Sequence, residues 1–356
     1  MDNVCQRCQM LPTIDSTPKV VYFTFPIVFL KEKAKGFLKS AGFEFFEENE
    51  LLVANTNDFK DFLVKLHNGS NFSAPELNDI MCVALNPGEN LSFLSFSKLK
   101  PLSFWFSLIE SQEYFEILNE QRLTVHFQPV VESKSLRIIG YEALIRGVKE
   151  DGALVSPKLL FDTAEKTDTL FYLDRFCRET AVKTAAVKKL LNYKIFINFI
   201  PTSIYDPVSC LQSTIQWAKH LEFEPSNLVF EVVESYRVSD IEHLSNVLNY
   251  YRNHGFLVAL DDVGSGYSNL NVLVNLKPDI IKIDREIIRN IHNDELKQSV
   301  FKAIILLSRE SNIQVLAEGV ETVEEYNFVK EHVDLVQGYL FAKPNPEPIR
   351  QIQLQL

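Results

Sequence analysis

Polar side chains, most of them acidic, recur at one kind of position along the second two thirds of this chain, the last residues of apolar β-like runs. They are Glu142, Asn198, Glu231 with Glu234, Asp261 with Asp262, Lys282 with Asp284, Glu318 with Glu321, and Gln337. A single acid at a strand end is commonly a helix cap. Repeated over six strands, the pattern predicts one acidic cluster. Carboxylates packed together repel one another unless a cation neutralises them, and hard divalent ions such as Mg²⁺ or Mn²⁺ do so with oxygen ligands. None of the seven histidines stands in an HxH or HExxH arrangement, so an oxygen-ligated site fits better than zinc. Adjacent Asp261 and Asp262 suit two ions about 3.5–4 Å apart, the spacing that clamps the attacking and leaving oxygens of a phosphoryl centre. Lys282 would bring a positive charge to the attacked phosphorus; the plainer alternative is a buried structural ion pair. Glu318 would serve as a base poised for proton transfer.

Such a cluster needs a scaffold on which strand ends converge. Candidate strands are Thr124–Val131, Leu136–Leu144, Lys194–Ile200, Leu228–Val233, Phe256–Leu260, Ile280–Ile283, Ile313–Ala317 and Val336–Leu340, with helical stretches between them. Several are continuous apolar runs, as in parallel strands buried on both faces. Helices are expected over Pro157–Leu190, with a break, and over Ile241–His254, closed by Gly255. Strands alternating with helices predict βα units and a barrel whose active site lies at the C-terminal ends of its strands. The segment from Asp261 to Tyr267, DDVGSGY, lacks the third glycine of a dinucleotide fingerprint and has no GK[ST], so its glycines are read as a sharp turn beside the acids.

Residues 1 to 115 read differently, as a small α+β module without a chemical motif. Val20–Phe25 and Leu51–Ala54 are strand-like, Leu30, Ala34, Phe37, Leu38 and Ala41 recur at helical spacing, and a helix is expected from Phe59 to Leu66. Its many phenylalanines are most simply core residues. The division is therefore 1–115 for a regulatory or sensory module and 116–356 for the barrel. A net charge of −11 disfavours a broad duplex-binding surface. The apolar run Val20–Leu30 is too short to span a bilayer, and Met1-Asp2-Asn3 does not open a secretory signal, so no membrane association and a cytoplasmic location are expected. Five cysteines give no disulfide framework. Cys5 and Cys8 form a CxxC pair without a second half, read as free thiols with a redox or metal-sensing pair as the alternative.

Taken in order, Phe127-Gln128-Pro129-Val130-Val131, Tyr141-Glu142-Ala143-Leu144-Ile145-Arg146, Asn198-Phe199-Ile200-Pro201, Glu231-Val232-Val233-Glu234, Asp261 to Ser268, Lys282-Ile283-Asp284-Arg285, Ala317 to Thr322 and Gln337-Gly338-Tyr339-Leu340-Phe341 resemble the motifs of the EAL domain family over residues 116 to 345. The resemblance implies a TIM-like (β/α)8 barrel with an antiparallel first strand, and metal-dependent hydrolysis of cyclic di-GMP to linear pGpG. It implies Mg²⁺ or Mn²⁺, with Ca²⁺ inhibitory. Glu142, Asn198, Glu231 and Asp261 look like ligands of one ion, and Asp262 like a ligand of the second, with Asp261 shared. Lys282, Glu318 and Glu321 take catalytic roles, Gln128, Leu144, Arg146, Asp284 and Gln337 take substrate-binding roles, and Glu234 anchors the glycine loop. A homodimer is expected. Val263, Ser265 and Gly147 replace the usual phenylalanine, threonine and tryptophan. The smaller Val263 leaves less bulk beneath the loop, which points to reduced or regulated activity. Two other classes stay open: a cyclic di-GMP receptor without turnover, and an interaction scaffold.

Overall fold

The computed structural model describes residues 9–233, 241–264 and 270–353. Two compact units emerge. One comprises Met10–Glu120 together with Lys158–Leu170; the other comprises Gln121–Pro157 and the chain from Phe171 onward.

The smaller unit runs strand, helix, strand, strand, helix, strand. Its sheet consists of β1 (Lys19–Thr24), β2 (Phe45–Glu48), β3 (Leu51–Thr56), β4 (Met81–Leu85) and the short β5 (Lys100–Pro101), in the order β2-β3-β1-β4-β5 with every pair antiparallel. This is the split βαβ, ferredoxin-like topology. Period-two alternation puts Val21, Phe23, Leu52, Ala54 and Cys82 on one face, where they meet Leu30, Ala34 and Leu38 of helix Val28–Ser40 and Phe59, Phe62, Leu63 and Leu66 of helix Phe59–Gly69. Asp58 caps the second helix by accepting from the Asp61 amide. Sequence periodicity missed β2 and β4. The β2–β3 hairpin turns through Asn49 and Glu50, both at positive φ, a pairing that a search for glycine turns overlooks. Nor are all the phenylalanines in the core: Phe23, Phe59, Phe62 and Phe106 are buried, while Phe29 and Phe93 are exposed.

The larger unit closes a barrel from β6 (Leu123–Glu132), β7 (Ile138–Val148), β9 (Lys194–Phe199), β10 (Leu228–Val233), β11 (Leu257–Val263), β12 (Ile280–Ile283), β13 (Gln314–Ala317) and β14 (Leu335–Val336), with a two-residue β8 (Leu154–Val155) on the edge of β7. β6 is antiparallel to both neighbours, β7 and β14; the other barrel pairs are parallel. Val130, Phe196, Val229, Ala259, Ile280, Leu316 and Leu335 pack in the interior. The polar residues that end these strands lie beyond that layer. Several strand limits differ from the sequence reading: β7 runs on to Val148 and β11 to Val263, and the other barrel strands shift by a residue or more at one end or both, except β10 and β12. β7 begins at Ile138 because Leu136 turns at φ 56°. β14 stops at Val336 because Gly338 presses so closely on the backbone of Val320 that a Cβ there would stand 2.0 Å from the Val320 oxygen. Among the described residues no helix is long and apolar enough to cross a membrane.

Behind β9 lies a fully buried ion pair, Asp174 with Arg178, one turn apart on helix Leu170–Val187. The Asp174 carboxylate also accepts from the Ile200 amide at 2.9 Å and the Ser203 hydroxyl at 2.7 Å, fixing the turn that follows Asn198. Removing one partner of such a pair strands a buried charge. Asp174→Ala is therefore expected to lower stability by about 3–5 kcal/mol in urea unfolding. Lys158→Ala, which breaks the exposed Lys158–Asp162 pair, should change it by no more than about 0.5 kcal/mol.

Candidate active site

At the C-terminal ends of the barrel strands one buried ammonium sits among four carboxylates. Lys282, 1% exposed on β12, places its Nζ 2.6 Å from Glu231 Oε1, 2.6 Å from Glu318 Oε1, 3.4 Å from Asp261 Oδ2 and 4.0 Å from Glu142 Oε1. Strands deliver Glu142, Glu231, Asp261 and Lys282, and Glu318 directly follows β13. The parallel register sets Asn198 of β9 level with Glu231 of β10. β12 and β11 pair through Leu260–Ile281 and Val263–Ile283, with an irregularity in β11 between them that holds the two aspartates. Two adjacent residues of a regular strand point to opposite faces. Here the break in register, with Asp262 at φ 58°, redirects the pair. A non-glycine residue in the left-handed region carries strain of order 1–3 kcal/mol, retained where the surroundings impose it.

The electrostatics follow from one cation facing four acids. Burial pushes Glu231 well above the usual carboxylate range, and Lys282 only partly opposes it. Glu318 is raised well above its ordinary value by burial and by the Asp261 charge. Asp261 is raised by burial as well. For Lys282, burial alone would favour the neutral amine, but Asp261, Glu142, Glu231 and Glu318 outweigh it and hold the ammonium. Asp262 is pushed up to about 6 by burial, by Asp261 and by Asp284. The cluster is thus short of positive charge.

Amides complete it. Asn198 donates Nδ2 to Glu142 Oε1 at 3.0 Å, and Gln337 donates Nε2 to Glu142 Oε2 at 2.7 Å. Gln337 also donates to Gln128 Oε1 at 3.1 Å, while Gln128 Nε2 donates to the Ala342 carbonyl at 3.1 Å.

Not every residue singled out in the sequence joins this cluster. Glu321 is ion-paired with Arg285 at 2.9 Å, and its amide donates to Glu325 within the capping box of helix Val323–Val329. Asp284 caps the short helix Arg285–Ile288 through the Glu286 amide and stands beside Asp262. Arg146 is half-buried, donates to the Ile145 carbonyl, and lies within the electrostatic reach of Tyr339 and Glu142. Leu144 is half-buried on β7 opposite His126. Gln128 and Gln337 are buried and face Glu142's side of the network. Glu234 and Ser265–Ser268 lie outside the described residues, as do Cys5 and Cys8. Sequence reasoning missed the amide chain from Ala342 to Glu142. The β6–β7 hairpin sets Gln128 directly opposite Glu142 only through a register shift between Val130 and Val131, and counting back from the turn in the sequence would have placed Tyr141 there instead.

Among the described residues no three His, Cys, Asp or Glu side chains are arranged to hold a metal ion as they stand, for the Lys282 ammonium occupies the space between the acids. The donor chemistry nevertheless fits a hard divalent cation. Glu231 Oε2 is buried without a hydrogen bond, and Oε1 has only the Lys282 ammonium beside it, at 2.6 Å. Asn198 spends its Nδ2 on Glu142, leaving its carbonyl oxygen for a cation.

Comparison with known proteins agrees with this geometry. The EAL domain model matches residues 111–344. The chain is 31% identical over 234 residues to the cyclic di-GMP phosphodiesterase PdeR of Escherichia coli K12, covering 64% of this chain and 35% of that protein. It is 29% identical over 218 residues to the blue light- and temperature-regulated antirepressor BluF of the same organism, covering 61% and 53%. The chain thus spans about a third to a half of the length of these relatives. A standalone EAL protein from Vibrio cholerae O395, solved with c-di-GMP bound, superposes with a TM-score of 0.59 at 39% identity, covering 65% of this chain and 95% of that one. On the family match, the ordered motifs and the barrel with its antiparallel first strand, the chain belongs to the EAL domain family.

Proposed function

We propose that this protein hydrolyses cyclic di-GMP to linear pGpG with the help of two divalent ions, Mg²⁺ or Mn²⁺. The observation that carries the reading is the buried, charge-deficient cluster of Glu142, Glu231, Asp261 and Glu318 around Lys282 at the C-terminal mouth of the barrel. Glu142, Asn198, Glu231 and Asp261 would hold one ion, and Asp261 with Asp262 the second. When bound, such ions neutralise the phosphodiester's charge and favour ionisation of the attacking water.

The chain's own groups supply the rest. Lys282 Nζ holds the attacking oxygen and adds positive charge beside the phosphorus, a preorganised donor in a site largely closed to water. Glu318, 2.6 Å from that ammonium and held above the usual carboxylate range, takes the proton from the water at Oε1. The new P–O bond forms as the bond from phosphorus to the ribose 3′ oxygen breaks, leaving a 3′ hydroxyl and a 5′ phosphate. Arg146, at the mouth, binds the diester not under attack. Asp284 raises the proton affinity of neighbouring Asp262, and Glu321 holds Arg285 over Gly319, where the Arg285 side chain lies so close that no Cβ would fit. Residues 10–120, which carry no group of this cluster, act as a regulatory module.

A second reading, a receptor that binds cyclic di-GMP without turnover, draws support from the likeness to BluF, a relative named an antirepressor. Chromatography of the reaction products separates the two. Linear pGpG should accumulate with Mg²⁺ or Mn²⁺ and not with EDTA or with Ca²⁺, which takes the same oxygen donors. Tight binding of cyclic di-GMP with no pGpG under any metal would favour the receptor.

Within the enzyme reading, Lys282→Ala should lower kcat by about 10²–10³-fold, the cost of removing one preorganised charge-stabilising donor. Glu142→Ala should cost at least as much and should also weaken Mn²⁺ binding in calorimetry. Leu154→Ala, on the exposed edge of β7, should leave turnover unchanged. Wild-type rates in either site variant would overturn the assignment.

A further inference from the structure

The orientation of Glu142 is set at a distance. Glu142 is one of two site carboxylates that Lys282 reaches only at 3.4 Å or beyond, so its aim depends chiefly on two amides. One of these, Gln337, could present either its NH₂ or its carbonyl oxygen toward Glu142, and only the NH₂ is useful. What decides between them is a chain of forced choices. The Ala342 carbonyl can only accept, so the end of Gln128 that faces it, at 3.1 Å, must be Nε2. Gln128 must then turn Oε1 inward. Facing that oxygen at 3.1 Å, Gln337 must present its NH₂, whose second hydrogen is directed to Glu142 Oε2 at 2.7 Å. Both hydrogens of the Gln337 amide are used, and its Oε1 is left buried without a partner.

The carbonyl at the head of this chain is itself held. Phe127 and Asn345 exchange two backbone hydrogen bonds, N to O at 2.8 Å and 3.1 Å, and the Ala342 amide donates to Gly338. The strand that carries Gln128 is thereby tied to the segment that carries Ala342. Gln128 is 7% exposed and Gln337 is 3% exposed, so water cannot substitute freely for a lost bond.

We propose that Gln128 is a positioning residue, rather than a substrate contact, which acts through Gln337 to aim the Glu142 carboxylate. The proposal rests on the reading of Glu142 as a ligand of a divalent cation. Partners that orient a metal ligand are worth roughly 10–100-fold in metal affinity.

The test uses the full chain with Gln128→Met, Gln337→Met, the double variant and Glu142→Ala. Three readouts are taken: Mn²⁺ binding by calorimetry, kcat and KM for cyclic di-GMP, and the side-chain amide resonances of Gln337. In Gln128→Met, Mn²⁺ binding should weaken by about 10-fold or more, kcat should fall, and KM at saturating Mn²⁺ should stay unchanged. The Gln337 amide resonances should move. The double variant should be no weaker than Gln337→Met, because residues acting in series are not additive. A raised KM with unchanged Mn²⁺ affinity, additive losses, or unmoved Gln337 resonances would overturn the proposal. Should Gln128→Met fail to fold, Gln128→Glu, which keeps the size and cannot donate to Ala342 when ionised, is expected to give the same losses. Failure of the metal reading looks different: Mn²⁺ binding would be indifferent to Glu142→Ala, while the Gln337 resonances would still report whether Gln128 controls that amide.

Discussion

The barrel's upper end is organised around a single ammonium. Lys282 is fully buried with four carboxylates about it, and no arrangement of that stoichiometry is balanced. A buried ion pair at best roughly offsets the cost of dehydrating its partners, and an excess of buried negative charge adds repulsion to that cost. The raised proton affinities of Glu231, Asp261 and Glu318 express the same imbalance. The protein holds this arrangement because strands carry Glu142, Glu231, Asp261 and Lys282, the Glu318 amide just past β13 is tied to the Ile283 carbonyl, and the sheet beneath is a packed apolar layer that leaves them little room to separate.

Within that frame, several departures from regular backbone geometry fall at a polar residue of the site or next to one. The break in β11 and the left-handed Asp262 redirect two neighbouring acids that a regular strand would send to opposite faces. Gly338 lets the backbone after Gln337 lie against Val320, and the bonds from Val320 to Gln337 and from Leu340 to Val320 lock the two segments together. Gly319 admits the Arg285 side chain. Asp262, Gly319 and Gly338 thus supply one left-handed residue and two close backbone approaches where site side chains must be aimed, as expected of sites whose geometry the rest of the fold imposes.

Much of this was legible in the sequence, for reasons that also mark its limits. Strand ends bearing Glu142, Asn198, Glu231, Asp261, Lys282 and Glu318 could be found because buried parallel strands are apolar runs and a polar residue ends each run. What periodicity cannot show is the direction of a side chain once the strand is irregular. Glu321 and Asp284 come within three residues of Glu318 and Lys282, yet Glu321 pairs with Arg285 and Asp284 caps a helix. In the smaller unit, β2 and β4 escaped notice because the hairpin turns on Asn49 and Glu50 rather than glycine, and because five-residue Met81–Leu85 is too short to show a period. The Asp174–Arg178 pair, within the helical stretch expected over Pro157–Leu190, became visible only through its contacts with the turn after Asn198.

The antiparallel first strand connects these points. A parallel strand preceding β7 would need a crossover of a dozen or more residues, whereas an antiparallel one returns through a tight turn and opposes its partner residue for residue. β6 and β7 do this around Ser133–Arg137, and the register sets Gln128 against Glu142. The same strand pairs with β14 on its other side, through Val131 with Val336 and Glu132 with Leu335, next to Gln337. Reversing one strand therefore brings Gln128 from the beginning of the barrel against Gln337 from its end, and Gln337 in turn onto the Glu142 carboxylate 195 residues away in the chain. Closure of the barrel and orientation of Glu142 are in this way one structural event: any slip in the β6–β14 pairing that opened the barrel would also move the carboxylate away from Lys282.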